Sequence, residues 1–390
     1  MRSGFIRVDA VHDVRTMNST HSGSSTGGND LDRTIHEFLQ SGSKSGNYQS
    51  NLEGILENWR SRLEQNGVTT IETVDKRAMA DYAQYLTRRV NANRNPDIEG
   101  GISPATAWTY FDNVSAFLHY CKEWEYLTEN PAQKAIVKSE LPDRPTSDSS
   151  KQQFWSASDR NALLQHVDKR ASAAIDEHGL DEKALTPVRD RALAYVLAYT
   201  GVRGAEVLRS TKDDRRVGLR WEDLNIEDGT MIVFGKSQQR EPTQLPRQVH
   251  SPLRQLKRVL NPASETWPVF VTNHAPSLYR VLPDEYENSE NHTPLAMCRS
   301  LGVTPPALST DGGRSVLKRL CKAGEIDVAG GYLKPHGARR GVGEKLYRSR
   351  GAAAAQRVLR HADPKTTSEM YSHIEASEMA DDVSEVFDSE

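Results

Sequence analysis

Residues 191–199 read Arg-Ala-Leu-Ala-Tyr-Val-Leu-Ala-Tyr, and Thr200 and Gly201 follow at once. Apolar side chains that recur on every side of a helix need cover all round, so this segment predicts a buried helix. Gly201 permits a sharp turn where that helix stops. Arg203 then falls at the start of the next helix, with Glu206 three residues on, where its carboxylate can orient the guanidinium.

Around this segment the chain divides. Its 390 residues predict two domains, with room for a third. Residues 1–29 include a Ser/Gly-rich stretch and read as a flexible arm. From 30 to 141 apolar residues recur at helical spacing: Ile35, Phe38 and Leu39; then Leu52, Ile55, Leu56, Trp59 and Leu63; then Met79, Tyr82, Ala83 and Leu86. Ser103-Pro104 reads as an N-cap with proline at the first helical position, opening a helix through Phe111, Phe117 and Cys121 that Asn130-Pro131 closes. These four or five helices without strands predict a small bundle. Residues 142–154 are polar, with two prolines, and read as a linker. A second domain over 155–374 opens with a helix that Ser158 can cap. It contains the apolar helix and a hairpin at 225–235, whose Asp228-Gly229 is a two-residue turn signal. Residues 273–313 read as a long loop or insertion, and helical patterns resume from Arg314. The fold class is mainly α, a helical bundle plus a mostly helical domain with a small antiparallel β-sheet. Residues 375–390 form an acidic tail, with Met379, Val383, Val386 and Phe387 on one stripe.

Net charge is −3, which by itself argues against a polyanionic partner. The distribution reverses the argument, because Arg314 to Arg360 is rich in Lys and Arg while the tail is acidic. No apolar run is long enough for a membrane span, and the N-terminus lacks a signal-peptide core, so the expected location is the cytoplasm. Cys121, Cys298 and Cys321 are too scattered for a disulfide framework or a metal knuckle and read as free thiols near a core. The sequons at Asn18, Asn113 and Asn291 carry little weight without secretion.

Cutting and resealing DNA without metal or ATP needs a nucleophile whose ester preserves the bond energy, which tyrosine provides. It also needs arginines for the charge on the non-bridging oxygens, and a proton donor for the departing 5′-oxygen. The sequence offers Thr200-Gly-Val-Arg203-Gly-Ala-Glu206, Lys236 after the hairpin strand, His336-Gly-Ala-Arg339 on one helical turn, Leu359-Arg-His361, and Thr366-Thr-Ser-Glu-Met-Tyr371.

From about Pro187 to His373 these segments resemble the tyrosine recombinase family of phage integrases and chromosome-dimer resolvases. The family's five boxes have counterparts here in order, and Ser103–Pro131 resembles its core-binding domain. The resemblance implies that Tyr371 forms a 3′-phosphotyrosine and that Arg203 and Arg339 bind the scissile phosphate. His361 would donate to a non-bridging oxygen, His336 would assist proton removal from Tyr371, Lys236 would protonate the leaving oxygen, and Glu206 would support Arg203. It implies double-stranded DNA as partner, with the two domains forming a C-shaped clamp around the duplex, a homo-tetramer on paired sites, and accessory DNA-bending proteins as further partners. No cofactor is expected. In this setting the apolar stripe of the tail would pack on a neighbouring subunit. The sequence departs from the family pattern in five places, two of them the longer, more charged link from Arg209 to Gly218 and the atypical insertion near 273–313. Arg360 stands where glycine is usual, three residues separate Thr367 from Tyr371, and Arg340 follows Arg339 where histidine is common. Competing readings are a type IB topoisomerase or telomere resolvase, a non-catalytic DNA-binding regulator or accessory factor, and a metal-dependent nuclease. No clustered acidic ligand set supports the last.

Overall fold

The computed structural model describes residues 30–42, 44–93, 100–145, 152–283, 293–368 and 370–371. The expected N-terminal arm, the acidic tail with its apolar stripe, and the sequons at Asn18 and Asn291 lie outside these. The chain forms two compact units, Met1–Gly42 with Leu52–Arg144, and Ser43–Asn51 with Pro145–Glu390.

The first unit holds α1 (Leu31–Gln40), α2 (Gly46–Gln65) from Leu52 onward, α3 (Lys76–Ala92), α4 (Pro104–Glu123) and the single turn α5 (Ala135–Lys138). The Asp75 carboxylate accepts from the Arg77 and Ala78 amides, which starts α3. Ser103 does the same for Thr106 ahead of Pro104, so the proline and cap read from the sequence open α4. Leu52, Leu56, Trp59, Met79, Leu86, Phe111 and Phe117 are fully enclosed. Trp59 meets the edge of Phe117 at 5.8 Å between centroids. Each such side chain contributes on the order of 2 kcal/mol by leaving water.

In the second unit, α6 (Ala157–His178) is capped by Ser156, not Ser158. The Ser156 hydroxyl accepts from the Asp159 amide, and Ser158 lies inside the helix. The apolar helix is α7 (Leu185–Thr200), and it packs against α6, α9 (His250–Leu260) and α13 (Pro335–Arg350). It starts six residues before the apolar run, and so takes Arg189 and Asp190 into the interior. There the pair is closed at 2.8 Å, and Arg189 also donates to the Val271 carbonyl at 3.0 Å. Arg319 reaches the other Asp190 oxygen at 2.5 Å. A buried pair survives only with its hydrogen bonds filled, and these partners fill them.

After the single turn α8 (Gly204–Val207) the chain forms an antiparallel sheet in the order β1 (Leu224–Asn225), β2 (Thr230–Phe234), β3 (Arg240–Gln244). Asn225 pairs with Thr230, so residues 226–229 make a four-residue connection and not the two-residue turn expected. The Asn225 side chain accepts from the Asp228 amide and takes over part of the turn, while Gly229 carries the positive φ of 66°. Met231 and Val233 point into the core and Ile232 outward, the alternation of a half-buried strand. The stretch 273–313 is not simply a long loop. It contains α10 (Ala275–Tyr279) and α11 (Pro294–Leu301), each opened by proline, and the start of α12 (Thr310–Ala323). The last helix with both ends described is α14 (Ala352–Leu359), after which 364–368, Met370 and Tyr371 are helical. The three cysteines are buried free thiols. Among the described residues no helix is long and apolar enough to cross a membrane.

Candidate active site

The turn after α7 sets the first arginine. Gly201 takes a left-handed φ of 70°, and Arg203 becomes the N-cap of α8. Glu206 reaches back and accepts from the Arg203 amide at 2.8 Å and from its guanidinium at 2.9 Å. The Glu206 side chain is wholly buried, whereas about a quarter of the Arg203 side chain stays open. A carboxylate so held fixes one edge of Arg203 and leaves the rest for an anion.

Helix α13 supplies the second group. His336 and Arg339 sit on its first turns, as the His-x-x-Arg spacing predicts. Arg339 is almost completely buried and donates to the Gly201 carbonyl at 2.6 Å and to the Leu359 carbonyl. It therefore ties together the ends of α7 and α14. Burial, and then the charge of Arg203, push Arg339 down to about 10. It is still charged at neutral pH. His336 is exposed as a residue, yet the surroundings of its ring strip enough water to lower its basicity. That desolvation, with the charges of Arg340, Arg339 and Arg203, brings it to about 4. His361 follows α14 and is also pushed down to about 4, by desolvation and then by Arg339, Arg203 and His336. Both imidazoles are neutral near pH 7. The Nδ1 of His361 lies 2.8 Å from the Thr367 hydroxyl. If Thr367 donates there, the ring proton of His361 is on Nε2.

Tyr371 is fully buried, in a cluster with Tyr347, Ala355 and Leu359. Its ring centroid lies 5.3 Å from that of Tyr347 and 6.3 Å from that of Phe154, the latter pair edge to face. The hydroxyl donates to the Arg340 carbonyl at 3.3 Å. Burial raises its proton affinity well above the usual phenol range, only partly opposed by the charge of Arg339. In this conformation Tyr371 is a protonated, enclosed side chain.

Lys236 is exposed in the loop between β2 and β3. Among the described residues its ammonium makes no hydrogen bond or ion pair with Arg203, His336, Arg339, His361 or Tyr371. What is fixed is the loop's root: the buried Arg216 donates to the carbonyls of Phe234 at 2.9 Å, Gly235 at 2.8 Å and Ala205 at 3.3 Å. One guanidinium thus ties the hairpin to the turn that carries Arg203.

Three features escaped the sequence reading. Arg360 is one: its guanidinium donates to Glu206 at 2.6 Å, so the carboxylate that holds Arg203 also holds a second arginine. The available signal was the arginine in place of glycine. Thr367 is another, legible only as the second threonine of its box. The third is the glycine pattern of α13. A Cβ on Gly337 would meet the Gln153 side chain, one on Gly341 the Trp155 carbonyl, and one on Gly343 the Tyr371 hydroxyl. Three glycines in seven helical residues, each costing up to about 1 kcal/mol against alanine, were the visible sign of close packing.

A cavity of ≈ 570 Å³ opens beside Arg203 and His336 and is also lined by Lys212, Arg314 and Lys334. All three of these are exposed. Among the described residues no group of three His, Cys, Asp or Glu is placed to hold a metal ion.

The profile of the phage integrase family matches residues 161–378, more than half of the chain. The chain belongs to the phage integrase family. A second profile, the SAM-like domain of phage integrases, matches residues 33–138. No curated protein sequence matches the chain. Among solved structures this integrase-family chain is similar to a lambda integrase dimer bound to a COC′ core site. The identity there is 14%, over 87% of this chain and 75% of that one, with a TM-score of 0.54. It is similar as well to the Tn1549 transposon integrase in complex with a circular intermediate DNA, at 13% identity over 88% of this chain and 95% of that one, with a TM-score of 0.53. At such identities the likeness is one of fold: a mainly α integrase architecture with a small antiparallel sheet.

Proposed function

We propose that the chain is a site-specific DNA recombinase that cleaves and rejoins duplex DNA through a covalent bond between Tyr371 and a 3′-phosphate. One observation carries this reading. Arg203 and Arg339, from sequence-remote elements, are locked around one turn with two neutral imidazoles, and Tyr371 packs in the same cluster as Leu359, whose carbonyl holds Arg339.

In this reading the scissile phosphate lies against Arg203 and Arg339, whose charges offset the negative charge that grows on its non-bridging oxygens. His361, with its proton on Nε2, donates to one of those oxygens. His336 is neutral and can accept the phenolic proton as Tyr371 attacks. The Tyr371 oxygen bonds to phosphorus, the bond to the 5′-oxygen breaks, and that oxygen takes a proton from Lys236. The reverse attack by a 5′-hydroxyl restores the DNA and the free tyrosine. Two rearrangements are required. The Tyr371 hydroxyl must leave the Arg340 carbonyl, and the exposed loop must deliver Lys236. Lys212, Arg314 and Lys334 would meet the flanking backbone, where each neutralised phosphate adds to a salt-dependent affinity. The groups named account for every proton transfer, so no cofactor is invoked. Double-stranded DNA is the partner, and a homo-tetramer on paired sites, helped by DNA-bending proteins, is the assembly that fits the proposal. The chemistry would run in the cytoplasm.

The test uses nicked suicide duplexes taken from the DNA flanking the gene, incubated in EDTA with the protein and with Tyr371→Phe. A protein–DNA adduct that survives a denaturing gel, formed by the parent and absent in the variant, is expected. Binding of the same duplexes without any adduct would favour a DNA-binding regulator. Relaxation of any supercoiled plasmid, with no exchange between paired sites, would favour a topoisomerase.

A further inference from the structure

Arg360 occupies a position built for glycine. It caps α14 with φ 52° and ψ 50°, the left-handed region that L side chains rarely adopt. Backbone strain of this kind points from the outlier towards a use for its side chain. That side chain is not on the surface. Only 14% of it is open, and Nη2 donates to Glu206 at 2.6 Å. Among the described residues Nε and Nη1 are buried without a hydrogen-bond partner. Among the described residues the one further carboxylate near Nη1 is that of Glu241, at 3.9 Å, beyond hydrogen-bond reach.

The local charge is unbalanced. Arg203 and Arg360 share the carboxylate of Glu206, and among the described residues Arg339 has only the neutral carbonyls of Gly201 and Leu359. Among the described residues these three guanidiniums have one close carboxylate between them, bonded to two and near the third. Buried donors without acceptors are costly to leave unmet, and an anion entering between them would meet them. Chain connectivity keeps the three together, because Arg360 lies between Leu359, which accepts from Arg339, and His361.

We propose that Arg360 is a third anion-binding guanidinium of this site, its Nη2 remaining on Glu206 while its free donors take an oxygen of the phosphate. The proposal rests on the reading of Arg203 and Arg339 as the phosphate site. It gives Glu206 a second task, since one carboxylate then spaces two arginines.

The experiment follows the arginine side-chain Nε–H signals of the full chain by NMR while inorganic phosphate is added. Arg360→Gly assigns the signal and relieves the left-handed backbone, so the fold is expected to survive. The Arg360 signal should shift saturably together with those of Arg203 and Arg339. Phosphate affinity should fall about tenfold in Arg360→Gly, the size of one lost charged hydrogen bond. Arg360→Lys should recover part of it. If Arg203 and Arg339 respond while Arg360 stays still and its glycine variant binds equally, the third guanidinium is refuted and the phosphate site stands. If none of the three responds, the phosphate-site reading fails, and this proposal with it.

Discussion

A methyl group placed on Gly343 would lie 1.9 Å from the hydroxyl oxygen of Tyr371 and 2.6 Å from a Leu359 methyl. The proposed nucleophile therefore rests against a helix backbone that has been cleared for it. In Gly343→Ala the ring must move. Overpacking should outweigh the helix-propensity gain of alanine, for a net loss of about 1–3 kcal/mol in urea denaturation. Tyr371 should also become open to nitration. Adding Tyr371→Phe removes the closest clash and should restore part of the loss. Unchanged stability together with an unreactive Tyr371 would contradict this packing.

Acid should loosen the site before it unfolds the rest. His336 and His361 are held at about 4 against an ordinary 6.5. As pH falls through 6.5 the unfolded chain takes up protons that the folded chain refuses. Their contribution is thus whole above about 6.5 and is lost progressively towards 4. Thermal melting between pH 7.5 and 4.5 should show a shallower acid slope in His361→Gln than in the parent. Equal slopes would mean that His361 titrates as it does in water.

Arg216 should matter to stability although it stands in none of the sequence boxes. Arg216→Ala removes three hydrogen bonds to carbonyls and an ion pair of 3.7 Å to the buried Asp213. The expected cost is about 3 kcal/mol, with loss of amide protection concentrated in β2 and β3. Protection lost evenly over the second unit would count against a role in holding the hairpin.

Asp190→Asn keeps the shape of a buried carboxylate and deletes its charge. Arg189, nearly as enclosed, is then left without its counter-charge, for an expected loss of about 3–5 kcal/mol. Arg319→Ala should cost under about 1 kcal/mol, since half of that side chain is in solvent. Similar losses for the two variants would show that the ion network is held mainly from the Arg319 side.

What could be read in the sequence followed from local rules. The apolar run of α7, the Ser103-Pro104 start of α4 and the i, i+3 placing of His336 and Arg339 each depend on spacing alone. The errors came where a neighbour decides. Asp228-Gly229 signalled a tight turn, but the Asn225 side chain supports a longer one. Ser158 lost the cap of α6 to Ser156, two residues earlier. The Lys- and Arg-rich stretch from Arg314 to Arg360 is continuous in sequence and not in space. In the fold Arg339 is interior, Arg360 is mostly enclosed, and Arg319 is paired with Asp190, while Arg314 and Lys334 flank the cavity. Charge in sequence does not reveal depth. The glycines of α13 were visible as letters, but their purpose depends on Trp155 and Tyr371, which are far off along the chain.

Residues 359–361 hold three different objects in consecutive positions: the carbonyl that anchors Arg339, the guanidinium on Glu206, and the imidazole against Thr367. The backbone of such a turn can tolerate substitution but not a change of length. A single inserted residue would misalign all three groups at once, whereas the exposed loop around Lys236 could lengthen without touching any of them. Among homologues, gaps should accordingly accumulate at the hairpin tip and be missing between α14 and Thr367, and a chimaera made by exchanging segments should be joined on the hairpin side.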